Sequence, residues 1–333
     1  MCLRDRPCEG KCGDCKSRNL VVSIDGTSNQ FGENVSKPLH PFQHSLIRGR
    51  IQMVLTDPSA EQLTYYNCGI GTYVPHRRKT FKYWRQRMDN IIDLAIAWQV
   101  LNKIFLFGFS RGAYQVRTIA AMIERVGLVN AGNQKLIPLW VPYNPSNKKV
   151  EKMTKKFKET FARDVKVHFI GAWDTVSSIG LARKKPLPLT TSAGHVCMFR
   201  HALALDERRV KFMPEYVDGG SSVSLSHPNA ALHLQNVKEV WFSGTHSDIG
   251  GGLKENLDLN LSSVPLLWME TESTSAGLRL RPRKAKDAIH WNWTQLRNED
   301  AHESLSKFWW LIELLPIKRL SYRDADTTTR YDS

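Results

Sequence analysis

Short runs of apolar, β-branched and aromatic residues alternate along the chain with longer stretches in which apolar residues recur at helical spacing. The first run, NLVVSID at 19–25, ends in Gly26-Thr27 and predicts a buried strand followed by a turn. TYYNC at 64–68, before Gly69-Ile70-Gly71-Thr72, predicts a second strand and a glycine loop. KIFLF at 103–107, VKVHFIGA at 165–172 and EVWFS at 239–243 predict three more. They run into Gly108, Trp173-Asp174-Thr175 and Gly244-Thr245-His246 respectively. Ile51–Leu55 fits either a helix end or a strand.

Between these runs, Trp84–Leu101 places Met88, Ile91, Ile92, Leu94, Ala95 and Trp98 on one face of a helix. A second helix is expected from Ala113 to about Arg125, with Gly127 at its end. Strands alternating with helices imply an α/β fold, a mostly parallel sheet with helices on both faces. Beyond Asn256 only helix-like pieces remain, Val264–Glu270 and Ser304–Leu315, which read as C-terminal covering helices. Residues 19–333 are therefore expected to form a single domain behind a flexible tail at 1–18. No internal repeat is apparent.

Composition refines this picture. With 333 residues and 41% hydrophobic positions, the chain can bury a sizeable core. No apolar run approaches a membrane span, and the N-terminus lacks the apolar core of a secretory signal, so a cytoplasmic protein is the expectation. The formal net charge is +15, concentrated in HRRKTFKYWRQR at 76–87, Lys148–Lys166, Arg183–Lys185 and RLRPRKAK at 279–286. That balance fits an anionic partner such as a membrane surface; no motif specific for nucleic acid accompanies it. Ser146–Arg163 predicts a basic amphipathic helix with Val150, Met153, Phe157 and Phe161 in a narrow stripe among lysines. Such a helix could cover the active site and dock on anionic lipid, or be a surface helix whose stripe faces the core. Cys2, Cys8, Cys12 and Cys15 crowd the tail, but no second CxxC pair stands at zinc-site spacing, so no metal is expected there. Cys68 and Cys197 read as ordinary residues.

The most informative pattern is Gly108-Phe109-Ser110-Arg111-Gly112, lying between a predicted strand and a predicted helix. A Ser on so sharp a turn is lifted above the sheet, and its flanking positions must be small. The amide of Arg111 at the helix start could stabilise an oxyanion, with a second donor from Gly26 or Thr27. A serine nucleophile needs a base, and the base an orienting acid, in the chain order Ser, Asp, His. Asp174 and His246 each follow a predicted strand and satisfy that order. Asp206, Asp218 and Asp248 compete for the acid's role, and His201 and His227 for the base's. An aspartate-nucleophile phosphatase motif is excluded, because its first Asp would fall on Ser23. Acyl-ester hydrolysis without metal or organic cofactor is the expected activity. A non-catalytic basic protein binding membrane surfaces or nucleic acid is the rival reading.

Taken together, DGTSN (25–29), YNCGIGT (66–72), GFSRGA (108–113), VHFIGAWDTVSSIG (167–180), HALALDERR (201–209) and FSGTHSDIGGG (242–252) resemble an uncharacterised α/β-hydrolase family abundant in fungi. That family is similar to the catalytic domain of bacterial type VI secretion phospholipase effectors. The likeness runs in order over roughly residues 19–256, and HESLSKFWWLIELLPIK (302–318) looks like the fungal branch. The resemblance implies an α/β-hydrolase fold, ester hydrolysis with phospholipids among the implied substrates, and Ser110 as nucleophile. It supports His246 and Asp174 and leaves the oligomeric state open.

Overall fold

The buried runs lie side by side in the computed structural model, which describes residues 19–26, 62–67, 103–130, 148–176, 193–209, 212–217, 236–251, 260–280, 293–305, 319–320 and 328–329. In chain order the elements are β1 (Asn19–Ile24), β2 (Gln62–Asn67), β3 (Lys103–Phe109), α1 (Arg111–Val126) and β4 (Leu128–Val129). There follow α2 (Lys148–Phe161), β5 (Ala162–Arg163), β6 (Val167–Trp173), β7 (Val196–Ala204) and β8 (Val237–Phe242). The last are α3 (His246–Gly250), α4 (Ser263–Ser275), α5 (Trp293–Arg297), β9 (Arg319–Leu320) and β10 (Thr328–Thr329). Six strands form one sheet in the order β2-β1-β3-β6-β7-β8. Every pairing in it is parallel.

The period of two along each strand divides the core into two layers. Leu20, Val22, Ile24, Ile104, Leu106 and Ile170 point to the face covered by α1, where Val116, Ile119 and Ala120 meet them. Val21, Phe105, Phe107, Phe169 and Trp173 point to the other face, against Leu266 and Met269 of α4. On that face Phe105, Phe107, Phe169 and Trp173 stack in a chain, with ring centroids 5.6 to 6.1 Å apart. Helices thus cover both faces, as the strand–helix alternation predicts. Burying each such side chain contributes about 1.5–3 kcal/mol.

The register aligns the C-terminal ends of the strands. Ile24 pairs with Gly108, Phe109 with Trp173, Trp173 with Ala202, and Ala204 with Phe242. Asp25, Ser110, Asp174 and the turn after β8 are therefore delivered to one edge of the sheet, where open α/β sheets build ligand sites.

One strand of the six-stranded sheet has no counterpart in the hydrophobic pattern. β7 reads VCMFRHALA, with Arg200 and His201 at its centre. Both are paired in place: Arg200 bonds Glu272 of α4 at 2.5 Å, and His201 bonds Glu239 of β8 at 2.9 Å. Cys197, which reads as an ordinary residue, is buried in β7 and disulfide-bonded. Of the other expectations, α4 coincides with Val264–Glu270, whereas residues 301–305 are irregular. The tail, Ile51–Leu55, the glycine loop, Trp84–Leu101 and the remainder of Ser304–Leu315 lie outside the described residues.

The basic amphipathic helix is present as α2, and its described contacts are those of a surface helix. Phe157 and Phe161 are partly buried with ring centroids 5.1 Å apart, and Lys158 Nζ donates to the Glu124 carbonyl at 2.8 Å. Glu124 lies near the far end of α1 from Ser110, roughly 20 Å along the helix axis. Met153 is 62% exposed and contributes little to the packing.

Two buried histidines make stability depend on pH. His168 on β6 donates from Nε2 to the Ala276 carbonyl at 2.9 Å. Burial, aided by Lys103 and opposed by that hydrogen bond, lowers its pKa to about 4. His195 is likewise lowered to about 4, by burial and by the nearby charges of Arg117 and Lys166. In the unfolded chain both titrate near the ordinary 6.5. Between about 6.5 and 4 the unfolded state therefore binds more protons, and the stability present at neutral pH declines as pH falls through that window. The urea midpoint is expected to drop from pH 7 to pH 4.5, and His168→Gln with His195→Gln should flatten the decline. An unchanged slope in the double variant would exclude these two groups as its cause.

Candidate active site

β3 runs without interruption into the start of α1, and the join is Ser110. Its backbone sits at φ 55°, ψ −122°, a conformation that costs a non-glycine residue on the order of 1–3 kcal/mol. Surrounding bonds impose it: Ser110 N donates to the Trp173 carbonyl at 2.9 Å, and the Ser110 carbonyl accepts from Tyr114 and Val176 at 3.3 Å. The flanking glycines make the turn sterically feasible. A Cβ on Gly108 would strike the backbone of Gly112, and one on Gly112 would run into the Ile24 and Asp25 carbonyls at the end of β1. The strained Ser on a glycine-bracketed turn is the arrangement its sequence context predicts.

Two side chains converge on the Ser110 hydroxyl. His246 Nε2 lies 2.8 Å from Ser110 Oγ, and His246 Nδ1 lies 2.6 Å from Asp174 Oδ2. The carboxylate can only accept while it is ionised, so Nδ1 carries the proton and Nε2 is left to accept from the serine hydroxyl. All three groups are buried, Asp174 completely. The second Asp174 oxygen, Oδ1, accepts the Ala204 amide at 3.1 Å. Asp174 itself has φ 42°, a second strained position beside the first. The imidazole is held between two rings: Phe109 at 4.7 Å, tilted by 32°, and Phe212 at 4.9 Å, edge-on at 68°. Those rings restrict the imidazole and keep its surroundings apolar.

The competing residues have other partners. His201 Nε2 accepts the Thr175 amide at 3.0 Å, and its Nδ1 bonds Glu239 at 2.9 Å, so both ring nitrogens are engaged. Asp206 Oδ2 accepts the Gly244 amide at 2.6 Å. Asp248 Oδ2 accepts the Thr245 amide and hydroxyl at 2.8 and 2.9 Å and the His302 amide at 3.0 Å, so it fixes the loop that starts α3. Asp218 and His227 lie outside the described residues.

For an oxyanion, the Arg111 amide stands in the first turn of α1, where it has no intrahelical acceptor. Burial pushes the guanidinium pKa of Arg111 down. Gly26 N–H donates to Asp25 Oδ1 at 2.9 Å, while Asp25 Oδ2 accepts the Tyr66 hydroxyl at 2.8 Å. The amide of Gly26 is therefore engaged in the local turn, and Thr27 lies outside the described residues. Among the described residues, no three His, Cys, Asp or Glu side chains cluster as a metal site requires.

Comparison with known proteins adds the family. The model of the type VI secretion phospholipase effector Tle1-like catalytic domain matches residues 18–272. An uncharacterised protein of Saccharomyces cerevisiae, YEL023C, is 32% identical over 238 residues, covering 62% of this chain and 34% of its own length. The chain thus spans about a third of that relative. Among solved structures, one described as a hydrolase of the α/β superfamily from Xanthomonas campestris pv. campestris aligns with a TM-score of 0.37 and 12% identity. It covers 77% of this chain and 99% of that one. RedJ, solved with a PEG molecule bound in its active site, aligns with a TM-score of 0.36 and 11% identity, covering 82% of this chain and 95% of that one.

The close approach at the elbow yields a stability prediction. Gly112→Ala should destabilise the fold by about 1–3 kcal/mol, because the new Cβ meets rigid strand backbone and not a side chain that can move aside. Urea titration followed by fluorescence reads this directly, and a wild-type midpoint would contradict the packing described.

Proposed function

The chain belongs to the family of Tle1-like catalytic domains of type VI secretion phospholipase effectors, and on that premise we propose that it hydrolyses acyl esters of lipids through a Ser110 acyl-enzyme. The observation that carries the reading is the continuous relay Asp174–His246–Ser110, at 2.6 and 2.8 Å, beneath a strained elbow.

In this reading the substrate carbonyl sits above Ser110. Neutral His246 takes the hydroxyl proton on Nε2 as Oγ forms its bond to the carbonyl carbon. The carbonyl oxygen becomes an oxyanion, for which the Arg111 amide at the positive end of α1 is a donor. Asp174 stays ionised and stabilises the imidazolium. The intermediate collapses, the ester C–O bond breaks, and the imidazolium returns its proton to the departing alcohol. Water then attacks the acyl-serine with His246 again as base, releasing the acid and restoring the serine hydroxyl. No external oxidant or cofactor is required by this sequence.

A phospholipid fits as substrate class because the family is one of phospholipase effectors and the chain carries a net charge of +15. Lys152, Lys155 and Lys156 are exposed on α2 and add to an anionic-surface preference. Near such a surface each lysine contributes about 1 kcal/mol.

A fluorophosphonate probe should label the wild type in proportion to its hydrolysis of short p-nitrophenyl esters and phospholipids. Ser110→Ala should abolish both. Asp174→Asn should lower kcat by roughly 10⁴-fold with KM little changed, because the wrong tautomer is then favoured. Labelling that survives Ser110→Ala would reject the assignment.

A further inference from the structure

The segment HALALDERR, residues 201–209, contributes no group to the reaction as proposed, yet it touches both loops that carry the relay. β7 lies between β6 and β8 in the sheet, so its exit stands between the Asp174 loop on one side and the His246 loop on the other. Toward Asp174, the Ala202 carbonyl accepts the Asp174 amide at 2.8 Å and the Ala204 amide donates to Asp174 Oδ1 at 3.1 Å. His201 Nε2 accepts the Thr175 amide at 3.0 Å, and its Nδ1 faces Glu239 Oε1 at 2.9 Å. A backbone N–H can only donate, so Nε2 is the acceptor nitrogen and Nδ1 carries the proton toward Glu239. Glu239 Oε1 also accepts the Val217 amide at 3.1 Å, tying this bond to the next segment.

Toward His246, Asp206 Oδ2 accepts the Gly244 amide at 2.6 Å, and the Asp206 amide donates to the Gly244 carbonyl at 3.1 Å. Gly244 has φ 121°, where a side chain would be strained, so this turn is fixed through its backbone. Glu207 Oε2 accepts the backbone amide of His246 at 3.1 Å. Glu207 is itself clamped: Arg209 donates to both of its oxygens at 2.8 to 2.9 Å, and Ser304 Oγ donates to Oε1 at 3.0 Å. Burial pushes the Glu207 carboxyl pKa up, but the Arg209 bonds and charge and the His246 amide outweigh it and hold it below the ordinary value. Arg209 also lies 3.7 Å over the Phe212 ring, which in turn packs edge-on against the His246 imidazole.

We propose that His201 and Glu207 are positioning residues, which hold the Thr175 and His246 amides and thereby set the spacing between the catalytic acid and base. The proposal rests on the Ser110–His246–Asp174 reading. Each fixes the backbone of a loop that carries a member of the relay, Asp174 beside Thr175 in one and His246 in the other. Misplacing a reacting group by about an ångström can cost on the order of 100-fold in rate, so loss of either anchor acts on the chemical step before it acts on binding. It also explains why a histidine and two carboxylates cluster around this strand exit: each is an acceptor aimed at a particular loop amide.

The experiment compares paired variants. His201→Gln keeps an acceptor and a donor, whereas His201→Phe removes both at similar volume. Glu207→Gln keeps an acceptor, whereas Glu207→Ala removes it. Each is assayed for kcat and KM on a p-nitrophenyl ester, for the rate of fluorophosphonate labelling, and for its unfolding midpoint. A proton spectrum is recorded for the far-downfield resonance of the His246–Asp174 hydrogen bond, assigned by its loss in Asp174→Asn. In His201→Phe and in Glu207→Ala, kcat and labelling rate should fall by about 10- to 100-fold with KM within about twofold. The downfield resonance should broaden or vanish in those two variants while they remain folded, and both conservative variants should recover most of the rate. Wild-type kcat and an intact resonance in folded His201→Phe and Glu207→Ala would overturn the proposal. A wild type that hydrolyses no ester would instead sink the esterase reading, and the resonance would then decide the positioning role by itself.

Discussion

The backbone of Ser110, at φ 55° and ψ −122°, is the constraint on which the site depends. A serine at the end of an ordinary strand would project to one face or the other and be buried in the core. At this turn it stands above the sheet edge, at the start of a helix. The conformation persists because the neighbouring backbone is bonded to β6 and because Gly108 and Gly112 let strand, helix and the end of β1 approach closely. The strain is local, and the whole parallel sheet supplies the rigidity that maintains it.

Everything else at the site is a matter of delivering partners to that hydroxyl. The parallel register brings the ends of β3, β6, β7 and β8 to a single edge. In the proposed reaction β3 provides the nucleophile, β6 the acid and the turn after β8 the base. β7 provides no reacting group, and its exit instead bonds the loops on either side of it. Burial works with this geometry: with water largely excluded, the charge on Asp174 acts on His246 with little screening. The aromatic flanks Phe109 and Phe212 limit the motion of the imidazole.

Much of this was legible in the sequence where chemistry and periodicity coincide. The runs at 19–25, 103–107 and 165–172 are dense in residues that must be buried on both faces, so β1, β3 and β6 announce themselves. Ser110, Asp174 and His246 each stand just past a predicted strand, and that position, taken with the chain order, favours them over the acidic and histidine rivals. β7 was not legible, because Arg200 and His201 interrupt its apolar pattern, and the partners that make their burial tolerable, Glu272 and Glu239 among them, are distant in sequence. The same holds for Glu207: a carboxylate in an Asp-Glu-Arg-Arg cluster reads as surface until the His246 amide is seen against it. The one available signal was that HALALDERR is among the motifs on which the family resemblance rests. The role of Gly26 was also not decidable from sequence, since the Asp25 side chain takes up its amide.

The central claim is that an acyl group passes through Ser110. The most direct measurement is rapid acid quench of the wild type mixed with a slowly deacylating ester, followed by intact-mass analysis and peptide mapping. The account predicts a transient mass increase equal to the acyl group, located on the peptide containing Ser110. Ester hydrolysis with no acyl adduct at any quench time, or with the adduct on another residue, would contradict it.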